Sequence, residues 1–201
     1  MLKVRIIPMI LIKNSSVVKT IKYDNPRIVG DAVSTIKVFS KRFADEMIIV
    51  DIDAYKNNRI NSNLIENFTK FCNMPLTIGG GIKSLVDAKK ILEIGAEKVV
   101  VNSYFFENND IIKDISNEFG NSSTVFSLDV KKDEEGCYHA YYNSGKKRSE
   151  LKITDIVSKV VDLGVGEIIL NSIDKEGTFS GYDFEVFKLI NSGKFINIIC
   201  N

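Results

Sequence analysis

The stretch Glu167–Asp183, EIILNSIDKEGTFSGYD, decides how the rest of the chain is read. A short apolar run, Ile168-Ile169-Leu170, gives way to Asn171, Ser172, Asp174, Glu176, Gly177, Thr178 and Ser180. Asp183 then stands where the N-cap of a following helix, FEVFKLI, belongs. A parallel strand feeding a polar loop and then a packing helix has this grammar. A hydrophilic connector is the competing reading of the loop. What weighs against it is that the same grammar recurs along the chain.

Working outward, apolar runs ending in polar residues fall at IIPMILI (6–12), MIIVDID (47–53), PLTI (75–78) and KVVVNS (98–103). Three more follow at TVFSLDV (124–130), EIIL (167–170) and FINIIC (195–200), where the chain stops. Helical periodicity fills the intervals at 32–43, 63–72, 84–94, 109–119, 153–163 and 183–191, with Asp31 and Ser84 as caps and Gly95 and Gly120 as stops. VVKTIKY (17–23) and CYHAYYNSGKKRS (137–149) read as hairpin excursions after the first and fifth strands. The pair IIPMILIKN…VVKTIKY and VFSLDVKKD…YHAYYNSGKK, with MIIVDID and EIILNSID, suggests an internal duplication; chance likeness among apolar strands is the alternative.

Six βα units and the start of a seventh favour a parallel α/β architecture. No G-x-G-x-x-G follows the first strand, and polar residues recur at strand ends. A TIM (β/α)8 barrel, truncated in the seventh strand, is therefore expected as a single domain over residues 1–201, with the last one to two βα units missing. An open barrel of that kind exposes strand edges, so the chain reads as a fragment of a longer product, or as one that closes by association.

Composition narrows the function classes. A net charge of +1 gives no footprint for nucleic acid or an anionic membrane. No apolar run reaches the length of a membrane helix, and charge interrupts Met1-Leu2-Lys3-Val4-Arg5 at once. Cys72, Cys137 and Cys200 are widely spaced and odd in number, which reads as reduced thiols in a cytoplasmic protein with no metal site. His139, in a tyrosine-rich stretch, reads as a surface strand residue rather than a base.

Three constellations carry chemistry. Gly79-Gly80-Gly81 leaves backbone N–H groups free to face an anion, and Asn102 and Ser103 add donors at the next strand's exit; a phosphate is the natural ligand, a tight turn the plain alternative. Asp51, Asp129 and Asp174 stand at or beyond strand ends, where carboxylates divide acid and base roles or else cap helices and loop amides. Asp129 is favoured for function because capping is awkward inside FSLDV. Arg5, Glu46, Lys98 and Glu167 each precede an apolar strand and are expected to form a ring of alternating charge; solvated strand starts that never meet are the other reading.

RIIPMILIKN…VVKT, DEMIIVDIDA, PLTIGGGIKS, EKVVVNS, SLDVKK, SGKK and GEIILNSIDKEGTFSGYD together resemble the cyclase subunit family of imidazole-glycerol-phosphate synthase, and within it the relatives from surface-polysaccharide gene clusters. The resemblance implies a barrel without a cofactor that takes ammonia from a glutaminase partner to a phosphorylated substrate. It implies that Arg5, Glu46, Lys98 and Glu167 are the ammonia gate, that Gly80, Gly81, Asn102 and Ser103 hold a phosphate, and that Asp129 is the general acid/base. Asp51, Ser172, Asp174, Glu176 and Gly177 are implied to join substrate binding. Leu11 stands where the histidine-pathway enzyme carries a second catalytic aspartate, and Glu176 replaces a shorter aspartate. Leu11 makes sugar amidation in surface-polysaccharide synthesis the first expectation. Histidine-pathway cyclisation is the alternative, and a non-catalytic barrel that docks and activates the glutaminase is a further one.

Overall fold

The structure is a computed structural model that describes residues 4–54, 60–191 and 196–201. Phe195, expected at the start of the last strand, lies outside the described residues, as do Met1, Leu2 and Lys3. The chain divides into two compact units, Met1–Lys19 with Arg27–Val100, and Thr20–Pro26 with Val101–Asn201.

In the first unit, β1 (Met9–Lys13), β4 (Met47–Asp51), β5 (Leu76–Gly79) and β6 (Lys98–Val101) pair in parallel, with Ile10 opposite Ile49, Ile49 opposite Ile78 and Ile78 opposite Val99. β-Branched runs suit these strands because both faces are covered: Ile48, Ile49, Ile78, Val99 and Val101 are all buried. β2 (Ser16–Ile21) returns antiparallel along β1, and β3 (Asp24–Asp31) continues the excursion. Helices α1 (Ala32–Lys41), α2 (Ser62–Phe71) and α3 (Leu85–Glu93) bury one stripe each: Ala32 and Ile36, Ile65 and Phe68, Ala88 and Ile91. Asp31, Asn61 and Ser84 cap them by accepting from the N–H groups of Ser34, Leu64 and Asp87. β3 was not legible as a strand because all eight of its residues are exposed and Pro26 interrupts it; such a strand carries no burial pattern to read.

In the second unit, β7 (Thr124–Lys132), β10 (Glu167–Ser172) and β11 (Asn197–Cys200) pair in parallel, which sets Asn171 beside Asp129. β8 (Tyr138–Tyr142) returns antiparallel along β7 and pairs with the short β9 (Lys147–Arg148), so the second expected hairpin is present. Helices α4 (Asp110–Phe119), α5 (Ile153–Asp162) and α6 (Phe184–Ile190) fill the intervals. Phe105 and Phe126 meet edge to face, and Phe106 stacks on Tyr142 at 4.6 Å, anchoring the chain after β6 and the β8 hairpin to the core. Each unit thus repeats one local construction: a strand paired antiparallel to its own excursion and parallel to a later strand.

Candidate active site

Asp129 sits near the end of β7 with only 5% of its surface exposed. Its Oδ1 accepts from Asn171 Nδ2 at 2.7 Å, Tyr23 OH at 2.9 Å and Ser127 Oγ at 3.4 Å. Its Oδ2 accepts from Asn102 Nδ2 at 3.1 Å. Period-two alternation puts Ser127 and Asp129 on one face of β7, and parallel register delivers Asn171 from β10. Asn102 leaves the end of β6 and also donates to the carbonyl of Ser127 at 2.8 Å, which fixes its amide. Burial raises the proton affinity of Asp129 above the ordinary carboxylate range, and the donors from Asn171, Tyr23, Asn102 and Ser127 pull only partly the other way.

Ser103 donates to Asn102 Oδ1 at 2.8 Å and accepts from the N–H of Asn143, at the tip of the β8–β9 hairpin, at 2.9 Å. Of the other loop residues expected in substrate binding, Ser172 donates to Asp183 Oδ2 at 2.8 Å, and Asp174 accepts from the N–H of Lys132 at 2.9 Å. Glu176 grips the tip of the β2–β3 hairpin. Its carboxylate takes Thr20 Oγ1 at 2.7 Å and the N–H of Tyr23 at 3.0 Å, and its carbonyl takes the N–H of Lys22 at 3.0 Å. Gly177, at φ +71°, lets that tip come close: a Cβ there would lie 2.2 Å from the carbonyl oxygen of Thr20. Asn102, Ser103, Asp129, Ser172, Asp174, Glu176 and Gly177 therefore all lie in the second unit, linked through the two hairpins.

Asp51, Gly80 and Gly81 lie in the first unit. Asp51 Oδ1 accepts from the N–H groups of Asp53 at 3.0 Å and Ala54 at 3.2 Å, and its burial raises its proton affinity. Gly80, at φ +110°, runs so close to β4 that a Cβ would lie 2.3 Å from the Asp51 carbonyl oxygen. Of the four charges expected as a ring, three meet in this unit: Glu46 pairs with Arg5 through Oε1 and with Lys98 Nζ through Oε2 at 2.9 Å. Glu167, the first residue of β10, is buried in the second unit beside Val125 and Asn197 in register.

Sequence reasoning missed Tyr23 and Ser127 as partners of Asp129 and left Asn171 without a role. Ser127 was recoverable from its i, i+2 spacing. Tyr23 carries no local signal, since a turn residue 106 positions away is brought in only by tertiary contacts. His139 lies on β8, half-buried, with Nε2 2.7 Å from Asp133 Oδ2; that pair keeps the Asp133 carboxyl below its ordinary range.

Residues 5–200 match the family described as histidine biosynthesis protein. The chain belongs to that family. Among its relatives is a Campylobacter jejuni protein provisionally named imidazole glycerol phosphate synthase subunit hisF2, 42% identical over all of this chain and 80% of its own length. Imidazole glycerol phosphate synthase subunit HisF of Lactococcus lactis strain IL1403 is 39% identical over all of this chain and 78% of its own. The counterpart in Streptococcus sanguinis is 36% identical over all of this chain and 80% of its own. Membership settles the fold class: the parallel strands and intervening helices are those of the histidine-biosynthesis (β/α)8 barrel, followed as far as its seventh parallel strand, β11. The names of these family members side with the histidine-pathway alternative and not with sugar amidation, the first expectation. Among the described residues, no helix is long and apolar enough to cross a membrane.

Proposed function

We propose that the chain is the cyclase-type subunit of an imidazole-glycerol-phosphate synthase, joining ammonia released by a glutaminase partner to a phosphorylated substrate. The observation that carries this reading is Asp129, a buried carboxylate at a strand end with raised proton affinity. Burial that raises proton affinity suits such a group to take and return a proton. Three donors crowd Oδ1 and one reaches Oδ2, so Oδ2 is the oxygen with room to exchange a proton with substrate. The amides of Gly80 and Gly81 are donors suited to a phosphate; the side-chain donors of Asn102 and Ser103, given to Ser127, Asp129 and Asn102, would have to be released to a phosphate. Asp51, Ser172, Asp174, Glu176 and Gly177 are proposed to join substrate binding. Arg5, Glu46, Lys98 and Glu167 are assigned as the gate through which ammonia enters. The supporting test is production of imidazole glycerol phosphate by the protein with ammonium salt, and by the protein with its glutaminase partner and glutamine. Turnover abolished by Asp129→Asn is expected; no product from either nitrogen source would overturn the reading.

Leu11 favours a second reading, amidation of a nucleotide sugar or phosphorylated sugar. It lies on β1 between Val18 and Val50 in register and offers no group that exchanges protons. Complementation of a histidine-requiring strain lacking its own cyclase separates the two. Growth with Leu11 intact sustains cyclisation. Growth only with Leu11→Asp shows a competent scaffold diverted to another acceptor.

A further inference from the structure

The second unit contains a contact that the proposed chemistry does not yet use. Thr20–Pro26 clusters with it although the rest of the β2–β3 hairpin belongs to the first. Lys22 and Tyr23 form the two-residue turn at φ +53° and +65°, a left-handed conformation that suits hairpin tips but is uncommon for tyrosine. The turn is held by Glu176 through two backbone N–H groups and the Thr20 hydroxyl. The tyrosine is half-buried, and its ring lies where a Cβ on Gly145, at the tip of the second hairpin, would meet Cδ2 at 3.3 Å. Its hydroxyl donates to Asp129 Oδ1.

We propose that Tyr23 is a positioning residue for Asp129: the Glu176-held hairpin tip delivers its hydroxyl to Oδ1 and fixes how that carboxylate presents Oδ2. The other three donors come from the strand framework, Ser127 on β7, Asn171 on β10 and Asn102 at the end of β6. Of the four, only Tyr23 comes from a hairpin excursion. A hydroxyl donated to a carboxylate stabilises the ionised form and resists protonation. Burial and the Asp129 charge in turn keep the Tyr23 hydroxyl protonated, so it remains a donor throughout the range in which Asp129 titrates. Among the described residues, the titratable groups facing this pair are Glu176, on the backbone side of Tyr23, and Tyr141, the antiparallel register partner of Asp129. Glu176 acts on Asp129 through Tyr23, because its carboxylate takes its hydrogen bonds from Thr20 and Tyr23 of the hairpin. Its own charge has the opposite effect, since a nearby anion raises the proton affinity of a carboxylate.

This inference rests on the catalytic reading of Asp129 only for its consequence in turnover. The contact itself is tested without turnover, by following the carboxyl carbon of Asp129 against pH in protein labelled with carbon-13 at aspartate, its signal assigned with Asp129→Asn. Tyr23→Phe keeps the ring and removes one donor. It is expected to move the Asp129 midpoint upward by about one pH unit. Glu176→Ala is expected to move it upward as well, and the double variant no further than Tyr23→Phe alone. A midpoint unmoved in a folded Tyr23→Phe protein overturns the proposal. So does a downward shift in Glu176→Ala, which would reveal a bare charge effect. Should Asp129→Asn leave turnover intact, the catalytic reading fails while the titration still decides the role of Tyr23.

Discussion

Lys98 Nζ lies 2.9 Å from Glu46 Oε2, joining the residue before β4 to the first residue of β6 across the start of β5. Arg5 takes the other oxygen of the same carboxylate, and the Glu46 side chain is only 10% exposed. One anion therefore organises two cations at the strand starts. A shared, largely buried carboxylate is costly to remove where a partner such as Lys98 stays largely out of water. We expect Glu46→Gln to lower stability by about 1–3 kcal/mol, between the exposed and buried limits for ion pairs. The denaturant midpoint should fall at constant slope. With the glutaminase partner, the same variant should impair glutamine-driven turnover more than turnover with added ammonium. Equal impairment of both would remove the gate role.

Asp129→Asn should separate activity from stability. Loss of a general acid/base lowers turnover by roughly 10²–10⁴-fold. The folded-state proton affinity of Asp129 is raised, so its contribution favours the fold below the ordinary carboxylate range and is lost as pH rises through the raised value. The stability of Asp129→Asn relative to the parent should therefore improve from pH 4 towards neutrality. Denaturation curves at several pH values measure it; a gap that is flat with pH contradicts the burial argument.

Asp183 has the opposite sign. Burial pushes its proton affinity up, but donors from Tyr138 at 2.6 Å, Ser172 at 2.8 Å and the Val186 N–H outweigh it, and the net shift is downward. Its contribution is present above the ordinary carboxylate range and is lost as pH falls through the depressed value. Asp183→Ala removes an N-cap and both side-chain donors' acceptor, so a loss of about 1–2 kcal/mol at neutral pH is expected. That loss should shrink on acidification, which thermal unfolding at pH 7 and pH 3 will reveal.

Gly80→Ala tests whether the glycine run is required by close approach. The added methyl would sit 2.3 Å from a backbone oxygen of Asp51 at a φ that disfavours side chains. A loss of roughly 2–4 kcal/mol is expected from the combined strain and clash. Gly136, also at positive φ but with open space around it, is the control: Gly136→Ala should cost only about 1 kcal/mol. Equal losses at both positions would reduce the effect at Gly80 to backbone conformation alone.

Much of this protein follows from local sequence. Runs such as MIIV and KVVV can be satisfied only with both faces covered, and helical stripes such as Ile65 and Phe68 fit one layer packed on such strands. Caps at Asp31, Ser84 and Asp183 are local hydrogen bonds, legible within three residues. The choice of Asp129 over its neighbours also followed from its place inside a strand. Tertiary structure alone decided what surrounds it. Register between β7 and β10 supplies Asn171, and a hairpin turn 106 residues away supplies Tyr23. It also gave Glu176 and Gly177 their work of holding that turn, and made Gly80 a point of contact with β4. Periodicity reports which face of an element is buried. It carries no information about which distant polar atoms converge there, because that depends on pairing register and on contacts between loops.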